Sequence, residues 1–347
     1  MTKKLILDLD VGIDDTLALA YALGSPELEL IGVMTSFGNV AVETSARNAL
    51  AVLDLLGHPE VPVYVGADRA LRATEPFAPS PEVVRIHGAN GLGECVIPDS
   101  TRVVVRMGGA GSGAIAACVD AAAPRNAAVD FLLDATRRYG DELVYVPTGP
   151  LTNLALALEV EPDLPTRLRH VTLMGGALTV PGNVSPCAEA NIANDPEAAD
   201  MAFRSGLRTT MVGLDVTHQT LLTKGGTAVW RELARGAASE RVRRAATFLA
   251  DMTDYYIDIY LENNPYLGGC SLHDPLAVGV AADSSLVVAH GCNLKVDLEG
   301  AFRGRTIGDD ERLNVPEKTC EVALEVDVPR FLREFMTRVG RALAGGR

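Results

Sequence analysis

The sequence predicts an α/β protein built on a mainly parallel, doubly wound open sheet with helices on both faces. Two observations lead there. Short apolar runs alternate with longer segments of helical periodicity, the pattern of repeated βα units. Several of the short runs are also almost wholly apolar, as strands buried on both faces must be. The chain has 347 residues, of which 48% are hydrophobic and 22% charged, enough for a large core. No stretch reads as a linker, so a single domain over 1–347 is expected.

The elements follow in order. Residues 5–10 are an apolar run ending in acid, a buried strand. Residues 15–23 carry Leu17, Ala18, Ala20, Tyr21 and Leu23 at helical spacing. Residues 28–36 form a second strand, and 41–56 a helix that stops at Gly57. The alternation continues with a strand at 61–65, a helix at 126–139, a strand at 143–147 and a helix at 151–159. A strand at 171–174, a helix at 196–204 and a strand at 209–214 complete it. After Asp215 the texture changes. Residues 222–261 read as mostly helical, with charges such as Arg231, Glu232, Glu240 and Arg241. A helix is expected at 275–282, strands at 293–298, 302–306 and 321–326, and a closing helix at 329–343. The Gly/Ala-rich segment 107–123 is either a flap over a site or, more simply, an insertion loop running into an Ala-rich helix. Its glycines are not a dinucleotide fingerprint, because no strand leads into them.

Composition narrows the partners. The formal net charge is −14, which argues against nucleic acid and against an anionic membrane surface. A small uncharged molecule remains open. No apolar run reaches the length of a membrane span, and the start of the chain lacks the apolar region and cleavage site of a signal peptide. Six scattered cysteines, none in a C-x-x-C pair, suggest neither a disulfide framework nor a zinc site, and a cytoplasmic location is expected.

The chemistry is concentrated in the segment DLDVGIDD at 8–15, where the first strand meets the first helix. Asp8, Asp10, Asp14 and Asp15 would lie at the carboxyl end of a parallel strand, where such sheets bind ligands. Gly12 allows the turn that brings Asp14 and Asp15 back towards Asp10. Four carboxylates this close repel one another unless a cation neutralises them, and oxygen-only ligands suit calcium or magnesium. One or two of the acids fit helix N-caps, but four exceed what capping needs.

This segment resembles the Asp-x-Asp-x-Gly-x-Asp-Asp signature of the inosine–uridine-preferring nucleoside hydrolase family, with Val11 where Pro is common. The resemblance continues in the family's order through FGN (37–39), HGANGLG (87–93), VPTGPLTN (146–153), LMGG (173–176), AEANI (188–192), NDPEAA (194–199), VGLD (212–215) and HDP (273–275). It implies hydrolysis of the N-glycosidic bond of ribonucleosides to base and ribose, with Ca2+ as cofactor and a homodimer or homotetramer as the assembly. It implies Asp10, Asp15, the Thr148 carbonyl and Asp274 as metal ligands. Asp14, Asn39 and Asp274 would grip the ribose hydroxyls, and Asn183, Glu189 and Asn191 the 5′ end. Met174 could pack under the sugar or simply fill the core, and Asn183 could mark an ordinary turn. Asp8 would orient a ligand or the water.

His87 lies in a Gly-rich stretch that reads as a loop. His273 precedes Asp274, and the resemblance places it near the leaving base. Tyr255, Tyr256 and Tyr260 could border that base, with core packing as the simpler role. The implied mechanism is direct attack of water at the anomeric carbon. Calcium lowers the water's pKa, Asp10 acts as general base, and bound hydroxyls stabilise a sugar of oxocarbenium character. Two rivals are a non-catalytic nucleoside or ribose sensor and a magnesium-dependent phosphatase using Asp8 and Asp10. The phosphatase leaves His273 and Asp274 without a role.

Overall fold

A computed structural model describes residues 2–106 and 125–345. The Gly/Ala-rich 107–123 segment lies outside the described residues. The strands are β1 (Lys3–Leu9), β2 (Leu28–Thr35), β3 (Val63–Val65), β4 (Leu143–Pro147), β5 (Val171–Met174) and β6 (Thr209–Val212). Then come β7 (Leu221–Leu222), β8 (Cys270–Ser271), β9 (Val287–Cys292), β10 (Leu294–Val296), β11 (Thr306–Gly308) and β12 (Cys320–Val326). The helices are α1 (Ile13–Leu23), α2 (Val42–Leu56), α3 (Pro81–His87), α4 (Ala127–Tyr139), α5 (Thr152–Val160) and α6 (Ala190–Asn194). They continue with α7 (Pro196–Arg204), α8 (Leu214–Thr217), α9 (Lys224–Gly236), α10 (Glu240–Asn263), α11 (His273–Ala282) and α12 (Val328–Ala344).

The main sheet has eight strands in the order β3-β2-β1-β4-β5-β6-β12-β9, and only the β12–β9 pair is antiparallel. Alternation along β1 shows how the sheet is covered. Leu5, Leu7 and Leu9 join one apolar layer, with Tyr21 of α1, Leu53 of α2, Trp230 of α9, Leu276 of α11 and Phe335 of α12. Ile6 joins the other, with Leu132 of α4, Leu154 of α5 and Phe203 of α7. The doubly wound α/β expectation is borne out.

The chain leaves β1 towards β2 and β3, then returns to β1's other side as β4. The β1–β4 boundary is therefore a topological switch point, and a crevice opens there at the strands' carboxyl ends. The register sets Asp8 beside Pro147, so Asp10 and Thr148 emerge together past the two strand ends. The Thr148 amide donates to the Asp8 carbonyl at 2.9 Å.

Several boundaries differ from expectation. α1 begins at Ile13, which puts Asp14 and Asp15 in its first turn. α11 begins at His273 rather than 275, because Pro275 is tolerated in a first turn, where its missing N–H has no partner to lose. The helical stretch after 222 is two helices split around Ala237. The strand expected at 302–306 is instead a short helical turn, Gly300–Phe302, followed by β11, which pairs only with β10. α3 and the edge strand β9 were not anticipated.

Candidate active site

Asp10 sits just past β1. Its Oδ2 accepts the Asn39 backbone amide at 2.6 Å and its Oδ1 the Asn39 side-chain amide at 3.3 Å. Two glycines make this approach possible. A Cβ on Gly38 would lie 1.9 Å from Asp10 Oδ2, and one on Gly12 would lie 2.7 Å from both the Asn39 side chain and the His87 ring. Gly12 opens α1 with no capping side chain, and Asp15 reaches back to accept its amide at 2.8 Å. The other Asp15 oxygen accepts from the Thr148 hydroxyl at 2.9 Å. Asp274 enters from the first turn of α11. Oxygens of Asp14, Asp15 and Asp274 come within 4.8 Å of one another.

Burial is the main force on these acids. It pushes Asp14 and Asp15 up to about 6, with the Asp14 charge adding to the shift on Asp15. Burial, then the neighbouring carboxylates, holds Asp10 and Asp274 well above the usual carboxylate range. Among the described residues no lysine or arginine neutralises any of the four. Asp14 Oδ1 is buried with no hydrogen-bond partner. Hard oxygen donors, uncompensated negative charge and an orphaned carboxylate oxygen fit a divalent cation.

Asp8 faces the supporting scaffold. It accepts from Tyr145 Oη at 2.5 Å and from Asn153 Nδ2 at 2.9 Å, and burial raises it to about 6.

Above the acids lies a cavity of about 560 Å³, within the range of small-molecule sites. Asp14, Asn39, His87, Thr148, Met174, Asn183, Glu189, Asn191, His273 and Asp274 all line it. The structure thus brings every substrate-binding residue expected from the sequence to one wall or another. Asp10 and Asp15 are buried and are not part of the cavity lining. Asn191 Nδ2 donates to the Thr148 carbonyl at 2.6 Å and lies 3.3 Å from the Met174 sulfur. Glu189 caps α6 and also accepts from the Gly176 amide at 2.9 Å, so both its oxygens already hold backbone. Asn183 Oδ1 accepts the Ala190 amide at 3.0 Å.

His87 departs from the loop reading. It is the buried last residue of α3, packed on the Tyr256 ring, and burial lowers it to about 4. His273 is also buried and is lowered to about 3, first by desolvation. Its Nε2 pairs with Tyr260 Oη at 2.7 Å and its Nδ1 with Thr217 Oγ1 at 2.8 Å. Tyr256 and Tyr260 line the cavity, whereas Tyr255 donates to the Arg85 carbonyl at 2.9 Å. His218, also on the cavity wall, drew no notice in the sequence, because nothing near it in the chain marks it as part of a site.

A switch-point crevice with buried carboxylates and amide-rich walls fits an α/β enzyme that takes a small hydroxylated molecule beside acids able to hold a metal ion. The family described as inosine-uridine preferring nucleoside hydrolase matches residues 5–333, and the chain belongs to it. The inosine-uridine preferring nucleoside hydrolase of Crithidia fasciculata is 32% identical over 98% of this chain and 99% of its own. A probable uridine nucleosidase of Oryza sativa is 33% identical over 95% and 94%. Among solved structures, a purine-preferring ribonucleoside hydrolase from Gardnerella vaginalis superposes with a TM-score of 0.88 at 52% identity, covering 98% of this chain and 99% of that one. The chain is a ribonucleoside hydrolase, an enzyme of N-glycosyl bonds, and neither the sensor nor the phosphatase reading is favoured.

Proposed function

We propose calcium-assisted hydrolysis of ribonucleosides, with Asp10 as general base and purine ribosides as the better substrates. The observation that carries this is the buried group of Asp14, Asp15 and Asp274, with Asp14 Oδ1 unpartnered, Asp14 and Asp274 lining the cavity, and the charge of Asp10 close by. Asp10, Asp15, the Thr148 carbonyl and Asp274 would hold the ion. Asp14 is close enough to two of these to share it. Bound there, calcium would supply charge neutralisation and Lewis-acid activation of the attacking water.

The chain's own groups do the rest. Asp10 takes the proton of the water, its Oδ2 fixed by the Asn39 amide. Asp14, Asn39 and Asp274 engage the ribose hydroxyls, which positions the anomeric carbon and favours charge development on the sugar. Asn183 and Asn191 meet the 5′ end, with Glu189 shaping the backbone there and Met174 beneath the ring. His87 and His273 flank the base, and His273 acts through its chain to Tyr260 and Thr217. The purine preference rests on the Gardnerella vaginalis enzyme, whose 52% identity exceeds the 33% of the uridine nucleosidase. A single domain in a homodimer or homotetramer belongs to the same proposal, as does a cytoplasmic location. Free thiols at Cys95, Cys187, Cys270, Cys292 and Cys320 support the location.

The test is ribose release from inosine, adenosine, uridine and cytidine, in calcium and after chelation with back-titration. Calcium-dependent release that is faster from the purines is expected. Release indifferent to chelation would remove the metal, and faster release from uridine would reverse the preference.

A further inference from the structure

Apolar side chains wall the cavity beyond His87 and Tyr260: Val83 and Ile86 from α3, Ile259 from α10, and Leu267 after it. Two amides share that wall, Asn264 and Asn263, the latter ending α10 one turn past Tyr260. Each has its oxygen committed. Asn263 Oδ1 accepts from Arg85 Nη2 at 2.8 Å, and Asn264 Oδ1 accepts the Tyr266 amide at 3.3 Å. A guanidinium can only donate, so the Asn263 oxygen must face Arg85 and its amide nitrogen takes the other side. Arg85 is itself held. It pairs with Glu82 Oε1 at 2.8 Å and with Glu262 Oε2 at 3.4 Å, and its carbonyl accepts from Tyr255 Oη at 2.9 Å. These contacts tie α3 to the end of α10 and leave Asn263 with a hydrogen-bond donor to offer the cavity.

We propose that Asn263 reads the six-position of a purine base. Its Nδ2 donates to the exocyclic oxygen of a 6-oxopurine, and Arg85 is the positioning residue that keeps the amide this way round. Adenine carries an amino group at the same place, so two donors would meet and neither would be satisfied. Inosine and guanosine are therefore favoured over adenosine. This deepens the purine reading above and rests on it, with the base lying between His87 and His273. His273 keeps its part in the departure of the base.

The test compares kcat/KM on inosine and on adenosine. For Asn263→Ala the inosine-to-adenosine ratio should fall about fivefold through loss on inosine, the scale of one exposed hydrogen bond. Asn263→Asp keeps the pairing with Arg85 but turns an acceptor to the base, and should lower the ratio by about tenfold or more. Arg85→Met lets the amide turn over and should lower the ratio as well, whereas Arg85→Lys retains a donor and should restore most of it. Neither side chain is buried, so the fold should survive each change. Faster release from adenosine than from inosine by the unaltered enzyme, a ratio unmoved by both Asn263 variants, or equal losses on the two substrates would each overturn the proposal. A ratio that Arg85→Met leaves intact would overturn the positioning role of Arg85. Failure of the purine reading would look different: the unaltered enzyme would then release ribose faster from uridine than from either purine riboside.

Discussion

On the proposed mechanism, Asp10 would owe its role as general base to crowding. It is buried, shares its surroundings with Asp14, Asp15 and Asp274, and has Asn39 as its firm donor. A carboxylate in that position gains from giving up charge, and taking a proton from water does so. Asp10→Asn keeps the shape and an oxygen for the Asn39 amide but cannot accept the proton. Turnover should drop about 1,000-fold, within the range for loss of a general base. The melting temperature in chelator should hold or rise, since one buried negative charge is gone. Steady-state kinetics beside a thermal melt checks both halves, and near-normal turnover would remove Asp10 from the role.

At the next scale the site is held by element ends. Asn153, in the first turn of α5, donates to Asp8 Oδ1 and to the Thr35 carbonyl and accepts the Ala67 amide, so one side chain ties β1, β2 and the loop after β3. Asn153→Ala leaves these buried groups short of partners, and stability should fall by about 1–3 kcal/mol. Urea unfolding measures it, and a change within error would mean that water replaces the amide. The strands that carry this framework were legible because β4 and β5 are short runs buried throughout and apolar but for Thr172. The acids were legible because four fall within eight residues. β9 was not, since its edge position leaves Val288, Ala289 and His290 exposed and erases the apolar signal. Gly88, Gly91 and Gly93 made His87 look like a loop residue, whereas its burial comes from Tyr256 on the distant α10. His218 was silent for a related reason: its neighbourhood is made by the β7–β8 pairing, which joins segments some fifty residues apart.

For the whole molecule, the switch point concentrates like charge at the centre of an already acidic protein, and folding must tolerate this. The pKa values of Asp8, Asp14 and Asp15 rise from 3.8 to about 6 on burial. A carboxyl raised in the folded state is bound to its proton more tightly there than in the unfolded chain. Its contribution to stability is therefore full below about pH 4 and is lost as pH climbs through about 6. A cation that binds only the folded carboxylates works in the opposite sense, because it competes with those protons and gains as they leave. In chelator, the part of stability due to these acids should weaken between pH 5 and 7. The melting-temperature difference between calcium and chelator should be small at pH 5 and widen steadily to pH 7.5. Paired melts across that range measure the difference directly. A calcium effect of constant size would place the bound ion on groups already ionised at pH 5, and so away from the buried cluster at the β1–β4 crevice.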